Sequence, residues 1–164
     1  MIAILHNIRS LHNVGSIFRT ADAAGMEKIY LCGYTSSPAD ELGRIRPEIA
    51  KVALGAEKTV AWEKIKSTAK LLDKLRAGNL GKKYRIFAVE QSLDSVPYTS
   101  VCLRKKELEE TAVLMGPEVE GLPLSLLKKA DKILEIPMRG RKESLNVSVA
   151  FGVAVYGLTL NSKI

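Results

Sequence analysis

The sequence predicts an α/β fold, a mostly parallel sheet with helices on both faces. Three observations predict it. The chain opens strand, helix, strand; its strands read as short continuous apolar runs; and such runs alternate with helical periodicities to the end. A strand–helix–strand opening gives a parallel pair through a crossover connection. Continuous apolar strands belong to a sheet covered on both faces.

In chain order, residues 2–6 form the first strand. Asn13 is read as the N-cap of the first helix, on which Val14, Ile17, Phe18, Ala21 and Ala24 recur at helical spacing before Gly25 stops it. Residues 29–31 are the second strand, ending at Gly33. Residues 34–48, rich in Ser, Pro, Gly and charge, form a loop that carries Arg44 and Arg46. A short helix follows Pro47, and residues 58–60 read as a small strand. From Trp62 the pattern turns helical, with Ile65, Ala69, Leu72 and Leu75 on the same face as Trp62 and Gly78 at the end. Lys64, Lys66, Lys70, Lys74 and Arg76 line the remaining face, either as a solvated surface or as an RNA contact.

Residues 84–90 are a strand that gives way to a polar loop at Gln91. The charged segment 96–110 reads as a surface excursion. Residues 111–115 form another apolar strand, residues 124–130 a short helix and residues 132–136 the last strand. In segment 145–155 apolar residues alternate with small ones, as in a strand, but the uncharged run it belongs to, 144–160, is 17 residues long against the usual 4–8 of a strand. Its length favours a helix packed on every side, with Ser148, Ala150, Gly152 and Ala154 permitting close approach.

With 164 residues the chain suits one domain, 1–164, with a substantial core. A formal net charge of +7 leans towards a polyanionic partner. Cys32 and Cys102 lack CxxC spacing and read as buried thiols of a reduced, cytoplasmic protein. His6 and His12 form no metal-binding pattern, so no metal is expected. The apolar segment after Ser144 is too short and too polar for a membrane span. There is no GxGxxG after the first strand, no GxxxxGK[ST] and no GxSxG, which excludes ordinary dinucleotide, P-loop and α/β-hydrolase sites.

In α/β sheets ligands bind outside the carboxyl ends of the strands. Three strand-end loops have unusual composition: Glu90-Gln91, 116–122 and 137–143. Gly116, Gly121 and Gly140 in them would let backbone come close to a ligand.

Three ordered segments then carry a resemblance. They are Asn13-Val14-Gly15-Ser16-Ile17-Phe18-Arg19-Thr20-Ala21 with Gly25; Gly116-Pro117-Glu118-Val119-Glu120-Gly121-Leu122; and Ile136-Pro137-Met138 with Ser144-Leu145-Asn146-Val147-Ser148-Val149-Ala150. Together they resemble the motifs of the SpoU/TrmH family, in the SPOUT class of RNA methyltransferases. The resemblance spans most of the chain and is weakest over 36–83 and 96–110. It implies methyl transfer from S-adenosylmethionine to a ribose 2′-hydroxyl in tRNA or rRNA, a homodimer, and a C-terminal trefoil knot. It implies cofactor contacts at Glu90, Gly116, Ile136, Met138 and Leu145, and catalytic or RNA-orienting roles at Arg19, Asn13, Glu118, Ser144 and Asn146. Many relatives carry an extra N-terminal RNA-binding domain. None is expected here, which leaves RNA capture to Arg44, Arg46, Arg139, Arg141 and Lys142. A catalytically inactive or partner-dependent RNA-binding protein of the same fold is the alternative.

A ribose hydroxyl is a weak nucleophile, so its proton must be drawn off and its oxygen aligned with the methyl sulfonium. A guanidinium is a poor base at neutral pH. Arg19 is therefore read as clamping phosphate and stabilising developing oxyanion charge, with a base role left open. Ser144 and Asn146, two apart at a helix start, would cap it and still reach substrate. Glu118 would orient Arg19 or Asn146, and Glu120 is read as surface.

Overall fold

The computed structural model describes residues 1–162; Lys163 and Ile164 lie outside the described residues. The strands are β1 (Ile2–His6), β2 (Lys28–Cys32), β3 (Ala61–Ile65), β4 (Arg85–Val89), β5 (Val96–Pro97), β6 (Thr111–Met115) and β7 (Lys132–Glu135). The helices are α1 (Leu11–Ala23), α2 (Pro47–Ala53), α3 (Ala56–Thr59), α4 (Thr68–Ala77), α5 (Lys105–Glu109), α6 (Leu124–Leu127) and α7 (Val147–Leu160), with one 3-10 turn at Tyr98–Ser100.

All seven strands form one sheet, ordered β3-β2-β1-β6-β4-β7-β5, and every ladder in it is parallel. Alternate residues of the inner strands feed two separate cores. Ala3, Leu5, Ile29, Leu31, Phe87, Val113 and Met115 pack under α1, α2, α3 and α7. Ile2, Ile4, Tyr30, Ile86, Ala88, Ala112 and Leu114 pack under α4 and α6. Because both faces of the inner strands are buried, their middles are apolar and read as unbroken runs, whereas edge strand β3 is largely exposed and carries Glu63 and Lys64.

Five local expectations are corrected. The N-cap of α1 is Ser10, whose hydroxyl accepts from the Asn13 N–H at 3.2 Å. Asn13 therefore sits inside the first turn, and its side-chain amide is not used as a cap. Residues 58–60 are not a strand: α3 ends at Thr59. The segment beginning at Trp62 is β3, paired in register with β2, and the helix starts only after Ser67, whose side chain accepts from Lys70 N. Helical spacing in that segment arose from joining two strand residues to a real helix. Finally, 96–110 is more than a surface excursion: β5 closes the sheet edge beside β7, and Val101 and Leu103 are buried, while Cys102 between them, expected to be buried, is exposed.

Segment 145–155 is helical, as its length suggested, but α7 is not packed all round. Phe151, Ala154, Val155 and Leu158 are buried, while Val149, Tyr156 and Leu160 face solvent. Its C-terminal half lies against the 98–102 segment. A Cβ on Gly157 would fall 2.3 Å from the Tyr98 ring, so only glycine fits beneath it.

Candidate active site

The sheet order brings β6, β4 and β7 side by side. Since all three run the same way, the loops leaving them emerge on one edge. Those are the three loops singled out by composition. Between them lies a cavity of about 350 Å³, within the range that holds small ligands. Val89, Met115 and Leu134, at the ends of the strands, form its apolar floor. Gly116 to Gly121 and Ile136 to Leu145 supply opposite walls, and Val147 and Ala150 of α7 close it.

Glu90 holds the first wall in place. Its Oε2 accepts from Leu122 N at 2.7 Å and its Oε1 from Gln91 N at 3.0 Å. Gly121 has φ +66°, and a Cβ there would meet the Glu90 carboxylate at 2.7 Å. At Gly116 a Cβ would strike Leu122 Cγ at 2.7 Å. Two of the three loop glycines thus admit neighbouring side chains of the protein itself, while Gly140 has open space around it. The second wall is different. Among the described residues, 137–145 make no backbone-to-backbone hydrogen bond, and the one tether seen is Gln91 Nε2 donating to the Glu143 carbonyl at 2.6 Å. The polar backbone of this wall is left available to a ligand.

At the rim three side chains from distant parts of the chain meet. Asn13 Nδ2 donates to Glu118 Oε1 at 2.5 Å, and Asn146 Nδ2 donates to Asn13 Oδ1 at 3.1 Å. Asn146 Oδ1 accepts from Ser148 N at 2.9 Å, capping α7, and from the Ser148 hydroxyl at 2.7 Å. Each amide therefore uses donor and acceptor at once, which fixes its orientation.

Glu90, Gly116, Ile136, Met138 and Leu145 all line the cavity, as do Glu118 and Ser144. Asn13 and Asn146 reach it through Glu118. Arg19 does not: it is exposed on α1, outside the lining, and makes no ion pair among the described residues. Sequence reasoning passed over Gln91 as a tether. It also passed over Glu120, which lines the cavity and meets Arg9 Nη2 at 3.5 Å. Arg9 in turn lies 5.6 Å from the centre of the Tyr34 ring. Contacts between β1, β2 and β6 loops are set by sheet order, and no local sequence signal announces them.

Fold and cavity define an α/β protein with a pocket of small-ligand size at the C-terminal edge of a parallel sheet. The chain belongs to the SpoU rRNA Methylase family, whose model matches residues 1–156. It is 31% identical over 156 residues to the 23S rRNA (guanosine-2′-O-)-methyltransferase RlmB of Ralstonia nicotianae, covering 95% of this chain and 57% of that protein. The Escherichia coli K12 RlmB is 30% identical over 155 residues, covering 94% of this chain and 58% of that one. The chain thus spans little more than half the length of these curated relatives. Among solved structures, the A. aeolicus TrmH/SpoU tRNA modifying enzyme superposes with a TM-score of 0.77 at 29% identity, covering 95% of this chain and 72% of that one. The AdoMet-bound rRNA methyltransferase from Sinorhizobium meliloti gives 0.78 at 26% identity, over 95% of this chain and 54% of that one. A structure concerned with 2′-OH methylation of C/U34 on tRNA gives 0.76 at 28%, over 98% and 94%.

Proposed function

We propose that this chain transfers the methyl group of S-adenosylmethionine to a ribose 2′-hydroxyl of tRNA or rRNA. The observation that carries the reading is the Glu118–Asn13–Asn146 relay at the rim of a cavity lined by Glu90, Gly116, Ile136, Met138 and Leu145. The apolar floor suits a methionine chain and adenine face, and the unspent backbone of 137–145 suits the polar edges of the same molecule. When bound, S-adenosylmethionine supplies an electrophilic methyl. The protein's share is alignment: Ser144 and the relay hold the ribose oxygen in line, and Glu118 keeps the amides in one orientation. Arg139, Arg141 and Lys142 are exposed on the second wall, with no ion pair among the described residues, and are placed to meet phosphate.

The reading includes a homodimer. Val149, Tyr156 and Leu160 form an exposed apolar stripe on α7, and α1 packs beside that helix. A second copy docked there brings Arg19 to a cavity it does not reach within its own chain, as a clamp for phosphate and developing oxyanion charge. It also includes the trefoil knot: the contacts of α7 with Tyr98 and of Gln91 with Glu143 support a chain end passed through the preceding loops.

The test is tritium transfer from labelled S-adenosylmethionine into bulk RNA, followed by mass spectrometry of the nucleosides. A 2′-O-methylated product is expected. RNA binding without transfer would instead favour the inactive RNA-binding alternative. Arg19→Ala is expected to abolish transfer and leave S-adenosylmethionine affinity unchanged by calorimetry; lost cofactor binding would refute its assignment.

A further inference from the structure

Beside the cavity mouth the fold fixes one aromatic ring and leaves it half exposed. Tyr34 is 48% exposed, although Tyr30, Leu31, Cys32 and Thr35 around it are buried. Among the described residues the other aromatic exposed to this degree is Tyr156, on the α7 stripe.

A dense polar network holds the Tyr34 backbone. Asn7 takes a left-handed conformation, φ +57°, and its Oδ1 accepts from Tyr34 N at 3.2 Å. Gly33 has φ +61°, and a Cβ there would fall 2.0 Å from that same oxygen. Lys64 donates from below to the carbonyls of Gly33 and Thr35. Buried Thr35 donates to the Leu5 carbonyl at 2.9 Å and accepts from Ile8 N at 2.9 Å. Residues 7–9 and 33–35 are therefore one rigid double loop. Asparagine is one of the few side chains that adopt left-handed backbone readily, and here its amide oxygen anchors the turn it makes.

On this support Arg9 and Tyr34 stand together at the site. The Arg9 guanidinium lies 5.6 Å from the ring centre and 3.5 Å from Glu120, which lines the cavity. An exposed ring with an adjacent guanidinium is the arrangement that stacks an unpaired RNA base. A phosphate beside that base can take Arg9 from Glu120 at little cost, because the Arg9–Glu120 pair is long and solvent-exposed.

We propose that Tyr34, held by Asn7 and Gly33, is a stacking platform for an unpaired base of the RNA substrate, with Arg9 holding the adjoining phosphate. The inference rests on the RNA-methyltransferase reading and deepens it by naming what positions the strand beside the cavity.

The probe is a short single-stranded RNA carrying one 2-aminopurine, titrated against the full chain and against Tyr34→Phe, Tyr34→Ala and Arg9→Ala. Stacking predicts fluorescence quenching by the unsubstituted protein and by Tyr34→Phe. Tyr34→Ala is expected to lose the quenching and about ten-fold or more in affinity. Arg9→Ala is expected to lower the slope of log affinity against log salt by about one. Calorimetric S-adenosylmethionine binding is expected to be unchanged in every variant, which separates this inference from the cofactor site. Wild-type quenching retained in Tyr34→Ala, or no quenching by the unsubstituted protein, overturns the platform while leaving the cofactor reading intact. A halved mass for Tyr34→Ala in light scattering also overturns it, because Tyr34 would then belong to a protein interface.

Discussion

Asn146 does two separable things, and substitution can divide them. Its Oδ1 caps α7 by accepting from Ser148 N at 2.9 Å, and its Nδ2 donates to Asn13 at 3.1 Å, orienting the relay to Glu118. Replacing an N-cap by alanine costs about 1 kcal/mol. Losing one neutral hydrogen bond costs about 1 kcal/mol more. For a domain of this size each kcal/mol moves Tm by roughly 2–4 °C. Asn146→Ala should therefore lower Tm by about 4–8 °C, from the same two losses and the same slope. Asn146→Ser keeps a capping oxygen and should lose only about half as much, roughly 2–4 °C. Both variants break the relay equally. Since Asn146 lies outside the cavity lining, S-adenosylmethionine affinity should hold in both, while methyl transfer falls about 100-fold or more, the typical scale for a lost positioning or proton-handling group. Calorimetry, thermal melts and single-turnover transfer read the three quantities independently. If Asn146→Ser transfers within three-fold of the unsubstituted protein, the relay does not position the ribose and the reasoning is wrong.

Three further outcomes follow from the same geometry. Gly121→Ala forces a side chain into φ +66° and displaces the Glu90 carboxylate from Leu122 N. It should cost about 2–4 kcal/mol and weaken cofactor binding, checked by urea unfolding and calorimetry; unchanged binding would mean Glu90 does not hold the wall. Burial raises the Cys32 thiol from 9.0 to about 11. The folded state then favours the protonated thiol, so this contribution is complete below about pH 9 and is lost towards pH 11, a change of about 2–3 kcal/mol. Denaturant titrations across that window should show the slope flattened in Cys32→Ala. Light scattering should give twice the 18.0 kDa chain mass, and Tyr156→Glu should shift it to one chain. A single-chain mass before substitution would remove the homodimer.

The inner strands and their two-faced burial were legible because the middle of a parallel sheet between two helix layers is lined almost wholly by apolar residues. That Glu90, Gly116, Ile136, Met138 and Leu145 come together at one cavity was legible for a related reason. Strand-end loops of unusual composition, in the order of a known family, mark themselves without reference to neighbours. Local capping was less secure: both Ser10 and Asn13 suit a helix start, and only the backbone path shows that Ser10 takes the cap and leaves Asn13 to Glu118. The join between β3 and α4 was hidden for the same reason, since Trp62 and Ile65 satisfy a helical period that the pairing with β2 overrides.

What the sequence by itself determined was the class of fold, the run of inner strands and the loops gathered at one sheet edge. These depend on residue type and spacing along the chain. Tertiary structure decided which groups touch: the relay across 133 residues from Asn13 to Asn146, the exclusion of Arg19 from the cavity, and the joining of Arg9 to both Tyr34 and Glu120. Those contacts follow from the strand order, which sets β1 between β2 and β6. That order is fixed by how whole elements bury their faces together, a property no local stretch of sequence contains.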